Sequence, residues 1–134
     1  MIVVDASVAV QWVLPESGSE AANELLLEDM SAPTFWLLEA ANVLWRRQRR
    51  GEMSAGQAIS RFNELLNAPI ASLAIEPYID KALQLATELG HSVHDCLYLA
   101  AAIQHGTHVV TADRRFAAIA VRPDFAGRVR LLGA

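Results

Sequence analysis

Short apolar runs alternate with helix-patterned stretches along nearly the whole chain, and no other feature constrains the fold as much. The runs at 2–5, 71–75, 108–111 and 128–132 read as strands, the last at a sheet edge, with 32–35 as a short strand or an extended turn. Between them, 7–14, 19–30, 36–50, 54–67, 78–89, 93–105 and 114–121 read as helices. Their stops are chemical: Pro15 closes the first, and Gly51, Gly90 and Gly106 close later ones. Ala22, Leu25 and Leu26 share one face of the second helix, and Ile59, Phe62 and Leu66 share one face of the fourth. The strand runs lack a strict polar–apolar alternation, as expected where helices cover both faces of a sheet. The prediction is an α/β domain of three layers, α/β/α, around a mostly parallel central sheet. A chain of 134 residues suits one domain over 1–134, and a hydrophobic content of 53% suffices for one core without staples.

In sheets of this kind the ligand site lies beyond the carboxyl ends of the strands. Asp5 stands at the end of the first strand, and Asp113 lies two residues past Thr111, at the end of another. Architecture alone therefore sends two acids to one rim. Two further acids sit in apolar surroundings: Glu39, inside Phe35-Trp36-Leu37-Leu38-Glu39-Ala40-Ala41, and Asp95, ahead of Cys96-Leu97-Tyr98-Leu99. A partly buried carboxylate is costly unless it is paired, hydrogen-bonded or bound to a metal. Arg114 and Arg115 are the only cations in these segments. Four carboxylates without cationic partners make a hard oxygen site suited to Mg²⁺ or Mn²⁺.

Three of the four acids also have a ready structural reading. Asp5 and Asp113 fit as N-caps of the helices that follow them, and Asp95 follows Ser92 at capping-box spacing. Glu39 lies inside its helix and has no such reading. Cap and ligand roles are compatible. Asn42 shares a helix face with Glu39, and Ser7 and Thr111 each lie two residues from an acid, within reach of a carboxylate, a water or a phosphate. His91 and His94 lie just before Asp95, but a three-residue spacing without further ligands is a weak zinc signal, so solvent-facing or supporting roles are expected.

The net charge is −4, so a nonspecific nucleic-acid coat is not expected. The dense basic run is Arg46-Arg47-Gln48-Arg49-Arg50. It reads equally as helix-end chemistry or as a set of phosphate contacts. Trp12, Trp36 and Trp45 read as core or interface residues, with Trp12 and Trp36 as candidates for a groove that takes a partner helix. Cys96 is the lone cysteine and reads as a small core residue in a reducing compartment. No stretch looks like a signal peptide, and no apolar run approaches the roughly 18 residues of a membrane span. A soluble, cytoplasmic protein is expected, with no membrane partner.

These segments resemble the PIN-domain toxins of the VapC type from bacterial toxin–antitoxin pairs, over nearly the full length. Ile2-Val3-Val4-Asp5-Ala6-Ser7 is similar to the family's opening strand, and Leu38-Glu39-Ala40-Ala41-Asn42-Val43-Leu44 to its central Glu-x-x-Asn helix. The stretch from Ser92 to Ala100 resembles the third acidic segment, with Cys96 where alanine is more usual. Val109-Val110-Thr111-Ala112-Asp113-Arg114-Arg115-Phe116 resembles the Thr-x-Asp close, with Arg115 where some relatives carry a further acid. The resemblance implies an RNA substrate, products with 5′-phosphate and 3′-hydroxyl ends, a homodimer and a small antitoxin partner. Asp5, Asp95 and Asp113, with Glu39 directly or through water, would hold the metal.

Three rivals are weaker. A phosphoacceptor receiver needs a lysine near the last strands, and Lys81, the only lysine, lies on a mid-chain helix. An Asp-x-Asp phosphatase needs an acid where Ser7 stands. A catalytically silent PIN fold, acting as an RNA-binding or protein-interaction module, has no need of intact acids.

Overall fold

The computed structural model describes residues 1–14 and 19–134, so the expected stop at Pro15 lies outside the described residues. Strand β1 (Ile2–Val4) occupies the centre of a five-stranded sheet. On one side of it lie β2 (Met30–Pro33) and then β3 (Ile70–Leu73); on the other lie β4 (Val109–Thr111) and then β5 (Val129–Leu131). Every pairing is parallel, so the sheet is wholly and not just mostly parallel, with β5 at an edge as expected. Val3 faces Val109, which faces Val129, and these three point into one hydrophobic cluster. Val4, Met30 and Val110 point into a second, smaller cluster with Val8 and Ala22. Two cores on opposite faces explain why the strands carry no polar alternation.

The helices are α1 (Ala6–Ala9), α2 (Ser19–Glu24), α3 (Trp36–Arg49), α4 (Ala55–Leu65), α5 (Glu76–Leu89), α6 (Val93–Gln104) and α7 (Arg114–Ala117). Helix α6 is buried at every position from Cys96 to Ala102 and packs on β1, β2 and α5. A helix apolar on all sides belongs in the interior. Tyr98, Phe116, Met30 and Leu44 are among the largest fully buried side chains, each contributing about 1.5–3 kcal/mol of hydrophobic burial. Among the described residues no helix is long and apolar enough to cross a membrane.

The chain builds outward from β1 to β2 and β3, then returns to place β4 on the other side of β1. The direction of growth thus reverses between β1 and β4. That switch point is where open α/β sheets form a crevice at their carboxyl ends.

Three expectations need correction. The helix expected over 19–30 stops at Glu24, continues as a 3-10 turn over Leu25–Leu27, and yields Met30 to β2. Met30 is claimed by ladder pairing with both Ile2 and Ile70, which outweighs its helix propensity. The tighter turn also spreads the leucines, leaving Leu25 half-buried and Leu26 exposed. In α4 the inward positions are Ala58 and Leu65, with Phe62 half-buried, whereas Ile59 and Leu66 face out. Trp36 is buried at 3% exposure and cannot line an open groove, and Trp12 is half-buried with its Nε1–H donated to the Ala22 carbonyl at 2.8 Å. The exposed tryptophan is Trp45, beside an apolar groove between α3 and α4 lined by Ala41, Leu44, Ala58, Ile59 and Phe62.

Candidate active site

Asp5 follows the last residue of β1 and is the N-cap of α1, accepting the Val8 N–H at 3.3 Å. The same oxygen, Oδ1, accepts the Ser7 hydroxyl at 2.5 Å. Ser7 Oγ accepts the Ala112 N–H at 2.9 Å and lies 3.3 Å from Thr111 Oγ1. Thr111 Oγ1 accepts the Asp113 N–H at 3.0 Å. The Asp-x-Ser at the end of β1 and the Thr-x-Asp at the end of β4 therefore form one hydrogen-bonded unit across the switch point. Asp113 itself is exposed and caps α7, its Oδ1 accepting the Arg115 N–H at 2.8 Å and the Phe116 N–H at 3.4 Å.

Burial dominates the electrostatics of Asp5. The residue is 5% exposed and, among the described residues, makes no ion pair. Loss of hydration pushes its carboxyl up to about 7, although the Ser7 and Thr111 hydroxyls and the Val8 N–H favour the charged form; the Asp95 charge raises it further. A carboxyl in this state accepts a cation readily, because a cation restores what burial removed.

Glu39 lies in the first turn of α3, and its Oε1 accepts the Tyr98 hydroxyl at 2.6 Å. Burial raises its carboxyl above the ordinary value, the Tyr98 hydrogen bond lowers it, and the Asp95 charge raises it again. The Tyr98 phenol is driven far above its usual range by burial and by Glu39, so it stays protonated and donates. Asp95 is in the first turn of α6. Its N–H donates to Ser92 Oγ at 3.2 Å, but its carboxylate takes His91 Nε2 at 2.7 Å, so only half of the expected capping box forms.

Asp5, Glu39, Asp95 and Asp113 all line one cleft of about 230 Å³, together with Ser7, Asn42 and Arg46. Thr111 is fully buried behind the cleft. Arg47, Arg49 and Arg50 do not line it: Arg47 and Arg50 reach Glu52 at 3.4 and 3.0 Å, and Arg49 lies 5.2 Å from the centroid of the Trp45 ring. Two features escaped the sequence reading. The place of Arg46 at the acids was legible as a seven-residue step from Glu39, two turns on one helix face. The Tyr98 hydrogen bond was signalled by the three-residue step from Asp95, but an apolar context disguised it.

The acids of the cleft offer oxygen donors, the kind a hard divalent cation takes. Among the described residues no three His, Cys, Asp or Glu side chains are gathered tightly enough to enclose an ion alone. Mg²⁺ typically keeps several waters and takes only one or two carboxylates directly, so an open rim of acids above a buried one suits it.

A family model described as the PIN domain matches residues 2–122. The chain belongs to the PIN-domain family. This PIN domain is 32% identical over 121 residues to the ribonuclease VapC3 of Pyrobaculum aerophilum, covering 87% of this chain and 92% of that relative, which puts it in the VapC group. Its fold is similar to that of the crystal structure of PAE2754 from Pyrobaculum aerophilum, with a TM-score of 0.74 at 23% identity over 96% of this chain and 82% of that one. It is also similar to a chain of a toxin–antitoxin complex from Klebsiella pneumoniae, with a TM-score of 0.63 at 16% identity over 96% of this chain and 95% of that one. At these identities the two structures speak for the fold alone.

Proposed function

We propose that this PIN domain is a metal-dependent ribonuclease and the toxin of a type II toxin–antitoxin pair. The observation that carries the reading is the convergence of four carboxylates on one cleft at the switch point, with Asp5 buried and without an ion-pair partner among the described residues. Kinship with a VapC ribonuclease supplies the substrate class.

Asp5, Asp95 and Asp113, with Glu39 directly or through water, would hold one or two Mg²⁺ or Mn²⁺ ions. When bound, such an ion supplies Lewis-acid charge to a phosphodiester and to the water that attacks it. Ser7 and Thr111 fix the Asp5 carboxylate, and Asn42 offers an amide to a water or a phosphate oxygen in the cleft. Arg46 takes a backbone phosphate, and Arg47, Arg49 and Arg50 extend the contact along the strand. Water attacks phosphorus, the bond to the 3′ oxygen breaks, and that oxygen takes up a proton, leaving 5′-phosphate and 3′-hydroxyl ends. The 2′-hydroxyl takes no part, so preference for RNA comes from binding.

The partners of the reading are RNA, a second copy of the chain as a homodimer, and a small antitoxin protein, all in the cytoplasm. The fold neighbour from Klebsiella pneumoniae is itself a chain of a toxin–antitoxin complex, the kind of assembly proposed here. The deciding experiment is cleavage of end-labelled RNA with Mg²⁺, with Mn²⁺ and with EDTA, using the parent and Asp95→Asn. Cleavage is expected only by the parent with metal. Equal cleavage by Asp95→Asn in EDTA overturns the reading.

A further inference from the structure

The two acids borne on long helices differ from the strand-end acids in how they are held. Neither Glu39 nor Asp95 caps its helix with its carboxylate. Each gives one oxygen to a donor from a buried or nearly buried ring: Tyr98 on Glu39 Oε1 at 2.6 Å, and His91 on Asp95 Oδ2 at 2.7 Å. Among the described residues the remaining oxygens, Glu39 Oε2 and Asp95 Oδ1, have no hydrogen-bond partner.

Both donors are themselves fixed. Tyr98 is fully buried on α6, one turn beyond Asp95, with the Phe35 ring 5.1 Å away. His91 sits where the chain leaves α5, after Gly90 in the left-handed region at φ 63°. Its N–H donates to the Ala86 carbonyl at 3.3 Å, which pins its backbone. Its ring stacks on Phe116 at 5.4 Å and 22°, leaving the side chain 10% exposed. Phe116 is fully buried on α7, and its N–H is held by Asp113. His91 thus ties the Asp95 carboxylate to the helix that Asp113 begins. An ionised carboxylate only accepts, so His91 Nε2–H is the donor.

We propose that His91 and Tyr98 are positioning residues for the carboxylate centre, each holding one oxygen of a helix-borne acid and leaving the other available to a divalent cation. This rests on the metal-centre reading above. A free Asp or Glu on a helix samples several rotamers, and ordering them on metal binding costs free energy. The two rings remove that cost before the ion arrives. Donors that orient ligating groups typically change metal affinity by about 10–100-fold when lost.

Mn²⁺ binding by the purified protein, followed by calorimetry and by the electron paramagnetic resonance signal of free Mn²⁺, tests this without an activity readout. Tyr98→Phe and His91→Phe are expected to weaken Mn²⁺ binding by about 10–100-fold. His91→Gln, whose amide can reach the place of Nε2–H, is expected to bind within about threefold of the parent, which a merely structural role for the ring does not predict. If His91→Phe melts below the assay temperature, His91→Asn replaces it, since its amide falls short of Asp95. Mn²⁺ affinity within twofold of the parent in both Tyr98→Phe and the His91 variant overturns the proposal and leaves the metal centre standing. A parent that binds no Mn²⁺ overturns both.

Discussion

The acids at the strand ends and the acids on the long helices reach the same cleft by different means. Asp5 and Asp113 are placed by the backbone of β1 and β4 and are locked by helix-start N–H groups, so each is a cap as well as a candidate ligand. Glu39 and Asp95 are placed by the faces of α3 and α6 and are locked by the side chains of Tyr98 and His91. The strand-end acids therefore answer to the backbone, and the helix-borne acids to the side chains that hold them. The difference also separates the two strand-end acids, for Asp5 is buried and Asp113 exposed.

The largest effect that sharpens this contrast is the pH dependence of stability without metal. Asp5 titrates near 7 when folded against 3.8 when unfolded, so the folded state holds an extra proton between those values. The stability it contributes is full below about pH 4 and is lost as pH rises through about 7. At about 1.4 kcal/mol for each pH unit, the loss approaches about 4 kcal/mol by pH 8. In EDTA, denaturant melts of the parent should therefore weaken from pH 4 to pH 8 relative to Asp5→Asn. Parallel profiles for the parent and Asp5→Asn would show that Asp5 ionises at an ordinary pH and that its burial carries no penalty. Glu39, raised in the same direction by burial, adds to the slope with the same sign.

Metal should reverse that order. At a concentration 100 times its dissociation constant, a cation that binds only the folded state stabilises it by about 2.7 kcal/mol. Thermal melts with Mg²⁺ should show that gain for the parent and little of it for Asp95→Asn or Asp5→Asn. A melting curve for the parent that ignores both Mg²⁺ and Mn²⁺ leaves the acids as caps and hydrogen-bond acceptors only.

The architecture was legible because its signals are local and repeated: apolar runs without alternation, glycines at helix ends, an acid after each of two strands. The four acids were legible one at a time, as polar residues in apolar company. What the sequence concealed lies in long-range pairing. Met30 sits in a helix-like stretch, and only its two ladder neighbours make it a strand residue. Trp36 read as either core or groove, because nothing in its own segment reveals the core that covers it. The hydrogen bond from Tyr98 to Glu39 joins residues on separate helices. Periodicity puts Tyr98 on the Asp95 face of its helix but cannot name Glu39 as the partner.

A smaller effect distinguishes a cap from a ligand directly. Asp113→Ala removes the acceptor for two N–H groups of α7 and should cost about 1 kcal/mol in EDTA, whereas Asp113→Asn, a comparable cap, should cost no more than a few tenths. Glu39→Gln keeps an acceptor for Tyr98 and caps nothing, so it belongs with Asp113→Asn. Equal losses in Asp113→Ala and Asp113→Asn would mean that the charge, and not the cap geometry, holds the start of α7.

The basic run extends the comparison beyond the acids, with the smallest expected effect. The sequence presents Arg46, Arg47, Arg49 and Arg50 as one cluster, but the structure divides them. Arg46 reaches the carboxylate cleft, Arg47 and Arg50 are drawn to Glu52, and Arg49 lies over Trp45. Exposed pairs such as Arg50 with Glu52 are worth roughly 0–1 kcal/mol, so they hold these side chains without excluding RNA. Among the described residues Arg46 is the arginine that lines the cleft of the acids, within reach of a phosphate bound there. Arg46→Ala should therefore weaken binding of a noncleavable RNA and lower the salt slope by about one phosphate contact. Arg49→Ala with Arg50→Ala should change both by less than Arg46→Ala alone. Binding isotherms at several salt concentrations, with the Asp95→Asn background preventing cleavage, separate the two cases. If the double variant loses more affinity and slope than Arg46→Ala, the far end of α3 is the main RNA track. Arg46 would then serve chiefly to offset the negative charge of the four acids.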